Sequence, residues 1–257
     1  MQIVGVTGDD YSQYEELLLY RDELEKEAEN IFMEYTRVFG DITAEIFKLK
    51  IDCIALKKSI SYCVKKKNRG EKLSAEDLQK YIAERMSVYQ SELDEMMYQN
   101  ELSKKGKAIS SFQSQEIKRI YREIAKLLHP DISDLTEKYP SLANLFQQVM
   151  FAYKCNDYKR IKELEILVNR ALRELGEEDF VHVIPDIEEK IKELENEIQG
   201  IISTEPYVYK NILRDHNVTR EKLSEYEKER DSYLSYKTEL ESKLKELQGQ
   251  LKWQTLN

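Results

Sequence analysis

Hydrophobic residues recur at helical spacing through the first quarter of the chain. Steps of four and three residues from Leu24 reach Ile31 and Ile42, and after one extra step of four the series continues from Ile46 to Cys63. Such a seam of a and d positions is typical of helices that pack side by side, as in a coiled coil. It predicts a long helix from about Tyr11 to Lys67.

Gly40 and Asp41 fall inside this seam and leave two alternatives open. The helix could break there, with Asp41 capping a second helix, or it could run through a glycine that costs about 1 kcal/mol relative to alanine. We expect a continuous helix because the seam persists on both sides of Gly40.

A second helix is predicted after a short connection at residues 68–70. Ser74 and Asp77 have the spacing of a capping box, and an apolar stripe follows from Leu78 to Met97. Because the connection is short, the two helices should form an antiparallel hairpin. Lys, Gly and Ser from Ser103 to Gln113 indicate a linker.

The last part of the chain repeats the helical pattern. Pro185 precedes an apolar stripe from Ile187 to Ile198, and a break follows near residues 203–206. A final helix is predicted from about Thr219. The strand-like stretches Gln2–Val6 and Phe180–Ile184 are too short to define a sheet.

The composition supports a helical fold. The chain of 257 residues contains only 8 Gly and 4 Pro, with 35% charged and 41% hydrophobic residues. An all-β barrel or sandwich needs far more turn residues than this, whereas long helices do not. We therefore predict an all-α, elongated fold of long-helix or coiled-coil-like hairpins.

Charge and cysteine content limit the partners and the compartment. With 40 Lys and Arg against 49 Asp and Glu, the net charge is −9, which argues against a nucleic-acid-binding protein. The 3 cysteines form no CxxC pair and indicate neither a disulfide framework nor a zinc ribbon. An apolar run of about 18 residues and a signal region are both absent, so we expect a cytoplasmic protein without membrane contact.

One segment, Ile117 to Asp131, departs from this acidic background. Its apolar positions at helical spacing predict a buried stripe of Ile117, Ile120, Tyr121, Ile124, Ala125 and Leu128. Its opposite face carries Lys118, Arg119, Arg122 and Lys126. A run of like charge is by itself most simply a solvated helix face.

The segment ends in His129, Pro130 and Asp131. A proline cannot continue the helical hydrogen-bond ladder and biases the residue before it away from the helical region. The tripeptide is thus a helix stop on its own, with His129 at the negative end of the helix dipole.

Together these residues resemble the second helix and the following loop of the J-domain, the module of DnaJ-type co-chaperones. Tyr121-Arg122, Ala125-Lys126 and the tripeptide match that pattern in register. Fifteen residues beyond Asp131, the segment Phe146 to Tyr153 resembles the third helix of the module. The resemblance implies an antiparallel helical hairpin with His-Pro-Asp in its loop, which we call the J-like hairpin.

In that family, the loop and the basic face of the second helix bind a DnaK-type ATPase and accelerate ATP hydrolysis. The resemblance implies that His129, Pro130 and Asp131 are contact residues for such a chaperone. It also implies electrostatic contacts from Lys118, Arg119, Arg122 and Lys126. The implied hairpin core consists of Tyr121, Ile124, Ala125, Leu128, Phe146, Val149, Ala152 and Tyr153.

The chain also departs from the J-domain pattern. The Tyr-x-x-Leu-Gly signature of the first helix is absent from Glu101 to Phe112, and we expect the helix through Met97 to supply that packing. The Gly/Phe-rich linker, the zinc-binding cysteine repeats and the β-rich client-binding domain of the best-known members are absent too.

No catalytic constellation stands out elsewhere in the sequence. Gly5 and Gly8 lack the Gly-Lys-Ser/Thr of a phosphate loop, and His182 has no partner at metal-ligand spacing. We therefore expect a protein that is not an enzyme and holds no metal or cofactor.

These observations predict three consecutive domains: an N-terminal helical hairpin over residues 1–105, a J-domain-like module over 106–178 and coiled-coil-like helices over 179–257. The favoured function is a divergent cytoplasmic co-chaperone of a DnaK-type chaperone. The alternative is an interaction scaffold that self-associates through its long helices and keeps a degenerate J-like hairpin.

Overall fold

The computed structural model describes residues 8–105, 109–175 and 186–250, and all regular secondary structure in these ranges is helical. The predicted all-α fold class is confirmed. The two strand-like stretches, Gln2–Val6 and Phe180–Ile184, lie outside the described residues.

The helices in these ranges are α1 Gly8–Asn68, α2 Ala75–Lys105, α3 Ser111–Leu128, α4 Leu135–Lys138, α5 Pro140–Lys154, α6 Tyr158–Leu175, α7 Ile187–Ser203, α8 Lys210–Arg214 and α9 His216–Gln250. A 3₁₀ turn, Tyr207–Tyr209, precedes α8.

Helix α1 is continuous through Gly40, as the seam predicts. A Cβ atom at residue 40 would overlap the side chain of Asn100 on α2. Asn100 donates a hydrogen bond of 2.7 Å to the neighbouring Asp41. Glycine is thus needed at this position for the close approach of α2.

The chain divides into two compact units, and neither is a continuous stretch of sequence. The J-like unit comprises the described residues of Met1–Asn30 and Lys107–Val208, and the bundle unit comprises those of Ile31–Gly106 and Tyr209–Asn257. This division differs from the three consecutive domains expected from the sequence. Helix α1 begins in the J-like unit and ends in the bundle unit, which local sequence patterns do not reveal.

In the bundle unit, α2 runs antiparallel to α1. The rings of Tyr62 and Tyr81 lie 4.8 Å apart, while the Asp41–Asn100 contact lies nearer the other end of α2. Between them, Ile51, Met86 and Leu93 form a buried cluster. The short turn after α1 produces this pairing, and Ser74 accepts a hydrogen bond from the backbone N–H of Asp77 as the predicted cap requires.

Helix α9 runs in the same direction as α1. The residue numbers of the contact pairs increase together along the two helices. The hydroxyls of Tyr35 and Tyr226 lie 2.6 Å apart, and further along both helices Asp52 and Lys237 form an ion pair of 2.7 Å. Lys237 thus pairs with a carboxylate of the neighbouring helix.

In the J-like unit, the main core lies between α3, α5 and α6. Leu19 of α1 is buried in this core. A second cluster joins Tyr14 and Leu18 of α1 to Ile132 and to the apolar stripe of α7. Two successive turns of α1 are thus anchored by apolar burial, which stabilises their position on the unit.

The linker predicted from Ser103 to Gln113 is too long at both ends. Ser103 is fully buried within α2, and its hydroxyl donates to the carbonyl of Asn100 at 2.7 Å. Arg37 of α1 donates to the carbonyl of Ser103 at 3.0 Å. These contacts extend α2 to Lys105, and a capping box between Ser110 and Gln113 starts α3.

Candidate functional site

Helices α3 and α5 form an antiparallel pair with the His-Pro-Asp sequence in the connection between them. The rings of Tyr121 and Tyr153 stack with centroids 3.9 Å apart, and at the other end the ring of His129 meets Phe146 edge-on at 5.6 Å. The connection also contains the short helix α4, and Pro140 is the first residue of α5. This arrangement has the connectivity that the resemblance implies.

The residues expected in the hairpin core are buried and belong to one cluster: Tyr121, Ile124, Ala125, Leu128, Phe146, Val149, Ala152 and Tyr153. Ile117 and Ile120 complete the buried stripe of α3. The opposite side of α3 is therefore the side that carries the basic residues.

Local hydrogen bonds fix the tripeptide loop. His129 caps α3 by donating its backbone N–H to the carbonyl of Ala125 at 2.8 Å, and its own carbonyl accepts from Ile132 at 2.9 Å. The Nδ1 atom of His129 accepts from the backbone N–H of Asp131 at 3.2 Å. His129 therefore organises the loop, while Pro130 and Asp131 lie exposed.

His129 itself is buried, with only 7% of its surface exposed. Its Nε2 atom lies 3.8 Å from Oδ2 of Asp22 on α1. The same oxygen accepts a hydrogen bond of 2.5 Å from the Tyr121 hydroxyl. Burial lowers the pKa of His129 and, together with the nearby Asp22 charge, raises the pKa of Tyr121.

Each of the predicted basic residues forms an ion pair within the J-like unit. Arg122 pairs with Glu16 and with Glu23, the latter at 2.7 Å. Lys118 also pairs with Glu23 at 2.7 Å, and Lys126 pairs with Glu15 at 2.5 Å. These three basic residues of α3 thus face carboxylates of α1.

Arg119 differs from the other three because it lies away from α1. It pairs with Glu116 and Glu123 on its own helix and with Glu165 of α6 at 3.2 Å. Glu116 and Glu165 are partly buried and Glu123 is exposed, so Arg119 joins α3 to α6 while its own side chain stays partly exposed.

Four acidic residues of α1 were missed by sequence reasoning: Glu15, Glu16, Asp22 and Glu23. The two pairs are seven residues apart, so they lie on one face of α1 on either side of Leu19. This spacing, opposite basic residues at positions 118, 122 and 126, was a usable signal. In an acidic chain it was indistinguishable from an ordinary solvated helix face.

The packing expected from the helix through Met97 comes instead from α1. That helix, α2, belongs to the bundle unit, whereas Leu19 of α1 enters the core of the J-like unit. The early part of α1 therefore covers α3 in this structure.

No protein-family model, curated protein or solved structure matches this chain. Within the described residues, no helix combines the length and the apolar content needed to cross a membrane. In the same ranges, no group of His, Cys, Asp and Glu side chains is arranged to hold a metal ion.

Proposed function

We propose that the chain is a divergent DnaJ-like co-chaperone that binds a DnaK-type chaperone and accelerates its ATP hydrolysis. One observation carries the proposal: the two sequence motifs that resemble the J-domain lie side by side in an antiparallel hairpin, with His-Pro-Asp in its connection. The stacking of Tyr121 on Tyr153 joins the two motifs directly.

The loop chemistry supports a contact role for the tripeptide. Pro130 restricts the backbone, and the bond from Asp131 to the His129 ring holds the loop in one conformation. A preorganised loop loses little conformational entropy on binding. Asp131 remains half exposed and available to a partner.

The basic face of α3 supports electrostatic recognition. Lys118 keeps about half of its side chain exposed, and Lys126 and Arg119 keep about two fifths. Such a patch steers association with an acidic surface, which we assign to the chaperone. The co-chaperone itself needs no catalytic group, because ATP is bound and hydrolysed by the partner.

We assign the recruitment of a target to the bundle unit, and we place the protein in the cytoplasm together with its chaperone. The unit's long helices, α1, α2 and α9, present extended surfaces of the kind used for protein contacts.

The test is single-turnover ATP hydrolysis by a DnaK-type chaperone in the presence of the full chain. We expect concentration-dependent acceleration that is lost in His129→Gln. Because His129 is buried, Asp131→Asn serves as a second variant at an exposed site, and it should also abolish acceleration. The proposal is contradicted if acceleration is absent both with wild type and with Glu16→Gln/Glu23→Gln, in which two carboxylates facing α3 are neutral.

The alternative is an interaction scaffold in which the J-like hairpin is purely structural. It is favoured by the burial of His129, since a buried side chain cannot contact a partner without rearrangement. Sedimentation separates the two proposals: a concentration-dependent dimer, with target binding unaffected by Asp131→Asn, favours the scaffold.

A further inference from the structure

The early turns of α1 lie antiparallel on the basic face of α3. Glu15 pairs with Lys126 and Glu23 pairs with Lys118, so the residue numbers run in opposite directions along the two helices. Arg122 lies between these pairs and contacts both acidic turns of α1. Of the basic residues facing α1, it is the most covered, with 26% of its side chain exposed.

Apolar contacts hold the same segment of α1 in place. Leu19 lies between the two acidic turns and is fully buried in the α3–α5–α6 core. Leu18 and Tyr14 pack against Ile132, which directly follows the tripeptide. Tyr11 donates its hydroxyl to the carbonyl of Ile132 at 3.0 Å. The segment therefore reaches from the middle of α3 to the His-Pro-Asp loop.

The carboxylates of α1 thus lie where the acidic surface of a bound chaperone would have to lie. A partner that pairs with Arg122 competes with Glu16 and Glu23, and one that contacts His129 competes with Asp22. The segment of α1 and a chaperone therefore cannot occupy the basic face of α3 at the same time.

We propose that residues 11–23 of α1 are an autoinhibitory segment that occupies the chaperone-binding face of the J-like hairpin. This inference rests on the proposed function. The full chain then exists mainly in a closed state, and chaperone binding requires an open state in which the segment has left α3. The apparent affinity falls by the fraction of molecules that are open. Any ligand that binds the released segment increases that fraction.

Neutralising the carboxylates on α1 should favour the open state without altering α3. In Glu16→Gln/Glu23→Gln, Lys118 loses its carboxylate partner, Arg122 loses both of its partners, and Lys126 keeps only Glu15. Each partly exposed ion pair stabilises the closed state only weakly, but several are lost together. We therefore expect the affinity for the ATP-bound chaperone to increase about tenfold. The matched control is Glu34→Gln/Glu45→Gln, which removes two exposed carboxylates from α1 within the bundle unit. It should bind like wild type.

Tyr11→Phe provides a second route to the open state. It removes the hydrogen bond to Ile132 and leaves every charge in place. We expect about a threefold tighter affinity for this variant. It keeps the inference testable if the double variant does not fold.

The binding data separate failure of this inference from failure of the proposed function. Tighter binding by both α1 variants, with the control unchanged, supports autoinhibition. Equal binding by all four chains, lost in Asp131→Asn, overturns autoinhibition and leaves the co-chaperone function standing. No binding by any chain at any concentration overturns both.

Discussion

The carboxylate of Asp22 lies 3.8 Å from Nε2 of His129 and links the first residue of the tripeptide to α1. The same carboxylate accepts a hydrogen bond from the Tyr121 hydroxyl at 2.5 Å, so one acidic group lies next to both a residue of the tripeptide and a tyrosine of the hairpin core. Asp22 is largely buried in this position. The contact explains how a histidine at a helix end becomes part of a polar network instead of a solvent-exposed cap.

The pH dependence of stability should reveal the buried His129. Burial lowers its pKa below the ordinary value of about 6.5, although Asp22 and Asp131 oppose the shift. The unfolded chain therefore binds a proton that the folded chain rejects, and the J-like unit loses stability as the pH falls through 6.5. We expect the free energy of unfolding, measured with urea, to be lower at pH 5 than at pH 7.

His129→Gln should remove this part of the pH dependence, whereas His216→Gln, at an exposed position on α9, should retain it. An unchanged slope in His129→Gln would show that the histidine is not the titrating group.

Lys26 is a buried cation whose replacement should stabilise the J-like unit. Its Nζ atom lies 3.8 Å from the ring centroid of Tyr153, and burial lowers its pKa to about 8. At pH 7 the folded state must keep the buried charge, which costs more than the cation–π contact returns. Lys26→Met should raise the free energy of unfolding by about 1 kcal/mol.

The pH dependence of stability provides a check on the predicted effect of Lys26→Met. The folded chain releases the Lys26 proton near pH 8 and the unfolded chain only near 10.5, so wild type gains stability over that range. The advantage of Lys26→Met should therefore shrink above pH 8. Lys80→Met, an exposed change on α2, should alter stability by less than about 0.5 kcal/mol at every pH.

Replacing two helical glycines by alanine should change stability in opposite directions. Gly40→Ala gains helix propensity but forces Asn100 away from α1. We therefore expect the free energy of unfolding of the bundle unit to fall by about 1–3 kcal/mol. Gly200 on α7 has open space around it, and Gly200→Ala should stabilise the J-like unit by about 0.5–1 kcal/mol. Thermal unfolding of both variants measures the difference. A stabilised Gly40→Ala would show that α2 does not approach α1 as closely as described.

Much of the fold could be predicted from sequence because long seams carry a strong signal. The continuity of α1 through Gly40 and the buried stripe of α3 both followed from helical spacing. The division into two units could not be predicted in this way. Leu18 and Leu19 show that this part of α1 has a buried face, but the periodicity of one helix does not specify its partner.

The candidate site was predictable in part for the same reason. The tripeptide and the four basic residues were found because they are contiguous in sequence and contrast with their acidic surroundings. Glu16 and Glu23, which pair with three of these basic residues, lie about a hundred residues away, where acidic residues are common. Long-range charge pairing depends on packing, which only the three-dimensional structure supplies.

The central claim is that the His-Pro-Asp loop activates a DnaK-type chaperone once α1 is released from α3. Single-turnover ATP hydrolysis tests it most directly with four chains. They are wild type, Glu16→Gln/Glu23→Gln, His129→Gln and the triple variant that combines all three substitutions. At subsaturating concentration we predict weak acceleration by wild type, several-fold stronger acceleration by Glu16→Gln/Glu23→Gln, and none by the two chains that lack His129. Equal rates for Glu16→Gln/Glu23→Gln and the triple variant would contradict the account.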